Sequence, residues 1–230
     1  MKLGSRWRYP VAVGIALMGC TASQEQEPPR VIGSDSLAAA VLIDITELDE
    51  TFQIYPSYAT ERNFTGAVLP GYEARRILLH REVAVSLARA QADLESEGLG
   101  LRVFDGYRPV RATLAMVDWA EASGRVDLLD DGYIGRLSRH NLGIAVDVTL
   151  IDLETGRELD MGTPYDTFTE DAHTMNAAGE ILERRLRLKE ALEAVGFQNY
   201  DKEWWHYSYR VEDAVAFDLV IGAGTGGNGR

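Results

Sequence analysis

Two segments that lie far apart in the sequence carry the side chains of a catalytic metal site, so the fold must bring them together. Residues 138–147 read Ser-Arg-His-Asn-Leu-Gly-Ile-Ala-Val-Asp, and residues 203–206 read Glu-Trp-Trp-His. The candidate ligands in these segments are His140, Asp147 and His206. Two imidazoles and one carboxylate that leave a fourth position open are typical of a catalytic zinc site. Glu203, three residues before the last ligand, is suited to act as the general base for a metal-bound water.

The residues alone leave a second interpretation open. Residues 144–150 are rich in apolar and β-branched side chains, which predicts a strand that contains Asp147 and follows a loop that contains His140. An aspartate inside such a strand is costly to bury unless it is paired or binds a metal. The alternative makes His140 a capped loop histidine and Asp147 a turn aspartate, with no metal.

These segments carry a resemblance to a known family. The pattern Ser138-x-His140-x-x-Gly143-x-Ala145-x-Asp147, followed by Glu203-x-x-His206, is similar to that of the zinc D-alanyl-D-alanine peptidases. That family comprises the VanX-type dipeptidases (peptidase family M15) and the related D,D-carboxypeptidases. Three further segments resemble the dipeptidase branch, and these are residues 58–66, 105–109 and 161–166. The five segments occur in the family's order and together span nearly the whole chain after its first forty residues.

The resemblance implies a mechanism. One Zn²⁺ per chain, held by the three candidate ligands, would lower the pKa of a bound water to about 7. Glu203 would take the proton of this water and deliver it to the leaving amine. Arg108 matches the family position that polarises the scissile carbonyl and stabilises the transition state. The alternative for Arg108 is an exposed arginine or a structural pair with Asp105.

The resemblance also assigns residues to the substrate pocket. Asp166 matches the position that pairs with the free ammonium of a dipeptide, and Ser138 matches one that lines the same pocket. An aspartate that caps a turn after Tyr165 is the alternative for Asp166. The remaining histidines, His80 and His173, lack ligand spacing, and we assign them no metal.

The periodicity of apolar residues indicates a mixed fold. It predicts helices over residues 72–97, 109–122 and 176–195. It predicts strands over residues 41–45, 101–105, 144–150 and 205–209. Because these elements do not alternate regularly, the chain is predicted to be α+β. The resemblance implies a single catalytic domain over residues 36–220, with a small, mostly antiparallel sheet flanked by helices, as in the D-Ala-D-Ala metallopeptidase or hedgehog-like fold.

The first twenty residues have the composition of an export signal. Three basic residues precede the apolar run 11–18, which is too short to span a bilayer. Residues 17–20, Leu-Met-Gly-Cys, resemble a bacterial lipobox, which implies lipidation of Cys20. Cys20 is the only cysteine, so no intrachain disulfide can form. An ordinary cleaved signal with an incidental cysteine is the alternative, and either one predicts export to the periplasm.

Composition sets the expected partners. Residues 21–35 are polar and contain proline, which predicts a flexible tether, and the glycine-rich residues 221–230 predict a disordered tail. The net charge of −13 argues against nucleic acid or bare anionic lipid as a partner, because both require basic surface. The membrane is therefore expected to hold the chain only through the lipid anchor.

Together these features predict a lipid-anchored, periplasm-facing zinc dipeptidase that hydrolyses D-alanyl-D-alanine or a close D,D-dipeptide. A D,D-carboxypeptidase that trims peptidoglycan stem peptides is one alternative, but it needs a site open at the substrate's N-terminal side, which Asp166 argues against. A zinc-containing binding module is another, although zinc binding alone requires neither Glu203 nor Arg108. The family's role in glycopeptide resistance requires a cytoplasmic enzyme, so export favours salvage of D-alanine released during wall turnover.

Overall fold

Strand β5 (Ala145–Asp152) forms the centre of the fold, because all of its residues except the last are buried between layers on both faces. The computed structural model describes residues 33–223. The predicted export signal with Cys20, most of the predicted tether, and residues 224–230 of the predicted tail lie outside the described residues.

The other elements follow in chain order around this strand. The helices are α1 (Asp35–Val41), α2 (Arg81–Glu95), α3 (Val110–Ala122), α4 (Asp127–Asp130) and α5 (Gly179–Ala194). The strands are β1 (Leu42–Asp44), β2 (Gln53–Ile54), β3 (Leu78–His80), β4 (Leu99–Asp105), β6 (Arg157–Glu158), β7 (Gln198–Tyr200) and β8 (Glu203–Ser208). None of the helices within residues 33–223 combines the length and the apolar character that crossing a membrane requires.

The main sheet has the strand order β2-β4-β5-β8-β7, and β6 pairs with the far end of β5. Strand β2 runs parallel to β4, whereas the other neighbouring pairs of this sheet are antiparallel. A separate two-stranded antiparallel sheet joins β1 and β3. The predicted α+β class and the mostly antiparallel sheet are therefore confirmed.

Helices α2 and α5 cover one face of the main sheet. Leu87 of α2 and Leu188 of α5 belong to the same buried apolar cluster as Val146 and Val148 of β5. Burying one such side chain contributes about 1.5–3 kcal/mol relative to leaving it exposed. Because side chains alternate along a strand, this packing directs Asp147 to the opposite face of the sheet.

The predicted helix over residues 72–97 is wrong in its first part. Residues 78–80 form β3, which pairs with β1, and α2 begins only at Arg81. Ile77 and Leu78 fit a helical period, but they are buried because a partner strand from a distant part of the chain lies beside them. A local period cannot reveal such a partner. The predicted ends of the other two helices differ from α3 and α5 by at most three residues.

The folded domain extends slightly beyond the predicted bounds of 36–220. Ser34 caps α1, because its Oγ accepts a hydrogen bond from Leu37 N at 3.2 Å. Helix α1 itself is absent from the predicted elements. At the other end, Ile221 is 1% exposed and forms a β-bridge with Tyr72. Ser34 and Ile221 therefore belong to the folded part of the chain, although the composition of the sequence around them is polar or rich in glycine.

Gly143 sets the turn that leads into β5. Its φ is +69°, in the left-handed region that favours glycine. A Cβ at this position would lie 2.5 Å from Leu42 Cδ2 and 3.1 Å from the backbone nitrogen of His80. The glycine therefore permits both the turn and the close approach of the small sheet.

Replacement of this glycine should separate these two effects. Gly143→Ala is expected to destabilise the metal-free protein by about 2–4 kcal/mol, because left-handed strain adds to overpacking. Gly98→Ala is the control, since Gly98 has φ +76° but no neighbouring atom within 4 Å of the added Cβ, and it should cost about 1–2 kcal/mol. Urea denaturation in the presence of a chelator measures both losses. Equal losses would contradict the close approach at Gly143.

Candidate metal centre

The register of three strands places a row of polar side chains on the face of the sheet that points away from α2 and α5. Asp147 in β5 is paired with Asp105 in β4 and with His206 in β8. Directly paired residues point to the same face, so these side chains meet. A bulge in β4 after Val103 makes this possible, because β4 advances two residues there while β5 advances one.

A second irregularity brings Glu203 to the same place. One step along β7, from Asn199 to Tyr200, corresponds to four steps along β8, from Tyr207 to Glu203. In a regular strand, residues three apart point to opposite faces. Here Oε2 of Glu203 lies 3.9 Å from Nδ1 of His206. The extra residues in β8 therefore turn the glutamate toward the histidine.

His140 reaches the row from a loop. It lies in the 3₁₀ helix Arg139–Leu142, whose N-cap Ser138 accepts a hydrogen bond from the His140 backbone N–H at 3.2 Å. Nδ1 of His140 lies 2.7 Å from the carbonyl oxygen of Gly106. Donation to this carbonyl selects the tautomer in which Nε2 has the free lone pair.

The three predicted ligands form one group in the structure. Nδ1 of His206 lies 2.9 Å from Oδ1 of Asp147 and 3.1 Å from Nε2 of His140. Nε2 of His140 lies 3.4 Å from the same oxygen. Tetrahedral zinc with bonds of about 2.0–2.1 Å requires ligand atoms about 3.3 Å apart. The donor set and its spacing therefore fit a metal ion that keeps one coordination position open.

Arg108 is held beside this group. Its Nε and Nη2 lie 2.9 and 2.8 Å from Oδ2 of the buried Asp105, and Tyr72 donates to the other oxygen of that carboxylate at 2.6 Å. Nη2 of Arg108 also lies 3.8 Å from Oδ2 of Asp147. Its guanidinium carbon lies 4.9 Å from the centre of the Tyr58 ring. The pair with Asp105 considered as an alternative thus exists, and it fixes the guanidinium at the metal centre.

Asn141 ties the loops of Arg108 and His140 together. Its Nδ2 donates to the Arg108 carbonyl at 2.8 Å and to Oγ1 of Thr113 at 2.9 Å. The Arg108 backbone N–H donates to the His140 carbonyl at 3.0 Å. Because Asn141 is fully buried, loss of these bonds would leave unpaired polar groups in the interior.

Glu203 is buried, with 7% of its surface exposed. Burial raises the pKa of its carboxyl well above the ordinary range, and the nearby carboxylates of Asp147 and Asp166 raise it further. A carboxyl group with a raised pKa binds a proton more readily than an exposed glutamate does. Such a group is suited to accept a proton and to return it.

Asp166 adopts an unusual backbone conformation for a non-glycine residue, with φ +59°. Its two carboxylate oxygens lie 3.1 and 3.2 Å from the hydroxyl of Tyr58, which donates to them. Burial raises the pKa of Asp166 well above its usual range, and the charge of Asp147 adds to the shift. Asp166 is half-buried, and a partly exposed carboxylate held by one phenol is suited to bind a cation.

One buried arginine holds both ends of the loop that carries Asp166. Arg185 of α5 is 1% exposed. Its guanidinium donates to the carbonyl of Met161 at 2.8 Å, of Asp171 at 3.0 Å and of His173 at 2.8 Å. The planar fork of arginine can satisfy several acceptors at once. The loop is therefore closed at its base by side-chain contacts.

A single cavity of about 270 Å³ brings the predicted site residues together. The cavity is lined by all seven of them, namely Arg108, Ser138, His140, Asp147, Asp166, Glu203 and His206. His80 and His173 do not belong to the ligand group. His173 instead lies with Nε2 2.9 Å from the hydroxyl of Tyr133.

Several residues with contacts at the site have no assigned role in the sequence analysis. Tyr58 and Tyr165, whose hydroxyls donate to Asp166 and Asp147, lie inside segments of the family pattern, so their positions were visible although their contacts were not. Asn141 and Arg185 carry only a weak signal, because polar and charged residues are more often exposed than buried. Their partners are distant in the chain, and only the fold reveals them.

The fold and the site define a class of protein. An α+β domain that buries a His-Asp-His group next to a glutamate and an arginine, all on one small cavity, is the arrangement of a metal-dependent hydrolase.

Comparison with known proteins identifies the family. A profile described as D-ala-D-ala dipeptidase, Peptidase M15, matches residues 38–216. The D-alanyl-D-alanine dipeptidase of Enterococcus faecium is 37% identical over 172 residues, which cover 67% of this chain and 84% of that protein. The corresponding protein of Enterococcus faecalis is 36% identical over 165 residues, which cover 65% of this chain and 82% of that protein. The chain therefore belongs to the D-Ala-D-Ala dipeptidase family of M15 peptidases, and it is a metallopeptidase.

Similarity to solved structures is weaker. The structure of the LdcB LD-carboxypeptidase superposes with a TM-score of 0.40 at 21% identity, over 60% of this chain and 61% of that chain. A similarity this low carries no argument about function.

Proposed function

We propose that the protein hydrolyses D-alanyl-D-alanine to two molecules of D-alanine with one bound Zn²⁺. Family membership and the names of its relatives support this reaction. The observation that carries the proposal is the single cavity that joins the His-Asp-His group to Glu203 and Asp166. Its volume of about 270 Å³ is at the lower end for ligand pockets and suits a small peptide.

His140, Asp147 and His206 are the proposed zinc ligands. Zinc accepts this donor set. When bound, it would act as a Lewis acid and would lower the pKa of a coordinated water molecule to about 7. The carbonyl of Gly106 orients the ring of His140, and Asp147 presents Oδ1 to both histidines. These contacts hold the three proposed ligand groups close together.

Glu203 is the proposed general base. Its carboxylate takes a proton from the water that attacks the peptide carbonyl, and returns that proton to the leaving amine nitrogen when the C–N bond breaks. The burial that raises its pKa makes the protonated form accessible between these two steps.

Arg108 is proposed to stabilise the negative charge that develops on the carbonyl oxygen. Asp105 binds Nε and Nη2 of the guanidinium. Within the described residues, the hydrogen-bond partner of Nη1 is the sulfur of Met116, at 3.4 Å. Since a thioether is a weak acceptor, Nη1 is the group available to the substrate.

Asp166 is proposed to bind the free ammonium of the dipeptide through a charge-assisted hydrogen bond. Tyr58 orients its carboxylate, and Ser138 lines the same cavity. A site that requires a free ammonium near the cleaved bond would accept dipeptides and reject longer stem peptides. This requirement favours a dipeptidase over a D,D-carboxypeptidase.

We further propose that the chain is exported, that a lipid on Cys20 anchors it, and that the reaction salvages D-alanine from wall turnover. The basic start, the short apolar run and the Leu-Met-Gly-Cys segment of residues 1–20 support export and lipidation.

The reaction can be tested with the purified, zinc-loaded protein. We expect cleavage of D-Ala-D-Ala but neither of L-Ala-L-Ala nor of a muramyl-type pentapeptide that ends in D-Ala-D-Ala. Glu203→Gln preserves size and removes the base, so kcat should fall about 10²- to 10⁴-fold while one zinc per chain is retained. Release of D-alanine from the pentapeptide would instead favour the carboxypeptidase. No cleavage with stoichiometric zinc would favour a zinc-binding module.

Two substitutions should separate catalysis from recognition. Arg108→Lys is expected to lower kcat about 10²- to 10³-fold with little change in KM, because lysine lacks the planar fork that Asp105 orients.

Asp166→Asn is expected to raise KM for D-Ala-D-Ala by about tenfold or more through loss of the charged acceptor. It should also reduce discrimination against the N-acetylated dipeptide. Turnover of Arg108→Lys within about threefold of wild type, or an unchanged KM for Asp166→Asn, would remove the residue from its proposed role.

The anchor can be tested in a bacterial host. Cys20→Ala should abolish incorporation of labelled palmitate and shift the protein from the membrane pellet to the soluble fraction. Lipid labelling that persists in this variant would show that Cys20 is not the acylated residue.

A further inference from the structure

The proposed metal-binding carboxylate has a second contact that the proposed reaction does not use. Asp147 directs Oδ1 toward His140 and His206, at 3.4 and 2.9 Å. Its other oxygen, Oδ2, accepts a hydrogen bond from the hydroxyl of Tyr165 at 2.9 Å. The cation nearest to Oδ2, Arg108, is more distant, with Nη2 at 3.8 Å. The two oxygens of this carboxylate therefore have separate tasks.

Ring contacts hold Tyr165 in place independently of its hydroxyl. Its ring stacks on Phe104, with centroids 4.5 Å apart and planes inclined by 15°. The edge of Trp205 packs against it, with centroids 5.5 Å apart and planes inclined by 78°. Such aromatic pairs contribute beyond the area that they bury. Removal of the hydroxyl alone would therefore leave the ring where it is.

The same hydroxyl also lies near the substrate end of the cavity. It is 2.9 Å from the hydroxyl of Tyr58, which donates to Asp166. Each phenol has one proton to donate. Because a carboxylate is a stronger acceptor than a phenol, Tyr165 donates to Asp147 and Tyr58 donates to Asp166. The two hydroxyls are therefore neighbours that each support a different carboxylate.

We propose that Tyr165 is a positioning residue that holds the Asp147 carboxylate with Oδ1 toward His140 and His206. The inference rests on the proposed zinc site and adds to it a residue that touches neither metal nor substrate. Without the hydroxyl, the Asp147 carboxylate can rotate and offer Oδ1 less often. Loss of such a partner of a metal ligand typically weakens metal affinity by about 10- to 100-fold.

Tyr165→Phe tests this role by the removal of one oxygen atom. Competition with a chromophoric chelator gives the zinc dissociation constant of the full-length protein, and we expect it to rise about 10- to 100-fold. At saturating zinc, KM for D-Ala-D-Ala should stay close to that of wild type, because Tyr58 still donates to Asp166. The melting temperature of the metal-free variant should stay close to that of wild type, since the ring contacts remain.

Tyr207→Phe is the matched control. Tyr207 is a buried tyrosine in β8, and its hydroxyl has no hydrogen-bond partner within residues 33–223. Its loss should leave zinc affinity unchanged. Tyr58→Phe is a second control, because it removes the contact with Asp166 and leaves the bond from Tyr165 to Asp147 intact. That variant should raise KM without weakening zinc binding.

A zinc affinity for Tyr165→Phe equal to that of Tyr207→Phe would overturn the inference. Weaker zinc binding in Tyr58→Phe than in Tyr165→Phe would also overturn it, because the support of Asp147 would then come from elsewhere. Absence of zinc binding by the wild type would overturn the proposed function as well. The failure of the inference and the failure of the proposed function are therefore distinguishable.

Discussion

The pairing of β5 with β4 on one side and with β8 on the other is the constraint on which the site depends. One register aligns Asp105, Asp147 and His206 across three strands. A slip of one residue would turn every side chain of a strand to the other face. It would also remove Val146 and Val148 from the apolar cluster beneath α2 and α5. The hydrophobic energy of that cluster therefore holds the metal centre in register, and the packing of one face determines the chemistry of the other.

Electrostatics impose the next constraint. Asp147, Asp166 and Glu203 line the same cavity, and Asp105 lies buried behind Arg108. Three buried carboxylates and the half-buried carboxylate of Asp166 beside one guanidinium leave an excess of negative charge, which is costly in an interior of low dielectric constant. A divalent metal and the ammonium of a dipeptide would each offset part of this excess. The raised pKa of Glu203 and of Asp166 has the same origin, since burial disfavours their charged forms. The cavity is thus built to receive positive charge.

The candidate site residues lie together in the structure, whereas one of the predicted elements does not form as expected. The seven assigned residues line one cavity, as their grouping in the family pattern implies. The Glu203–His206 pair was assigned by spacing, although the spacing makes sense only with the extra residues that β8 has opposite β7. The long predicted helix failed at residues 78–80, where pairing with β1 outweighs a helical period. The contact of Tyr165 with Asp147 and the three carbonyls bound by Arg185 could not be inferred, because each joins residues from separate parts of the chain.

By itself, the sequence determined the family, the α+β class and the side chains that are candidates for metal binding, for a general base and for substrate binding. These follow from local properties, since motif spacing and apolar periodicity are written in consecutive residues. Only the tertiary structure decided how the Asp147 carboxylate divides its two oxygens, which atoms of Arg108 remain free, and how one arginine closes the loop of Asp166. Each of these depends on distances between residues that are far apart in the chain. Such distances are set by the packing of the whole domain and not by any segment within it.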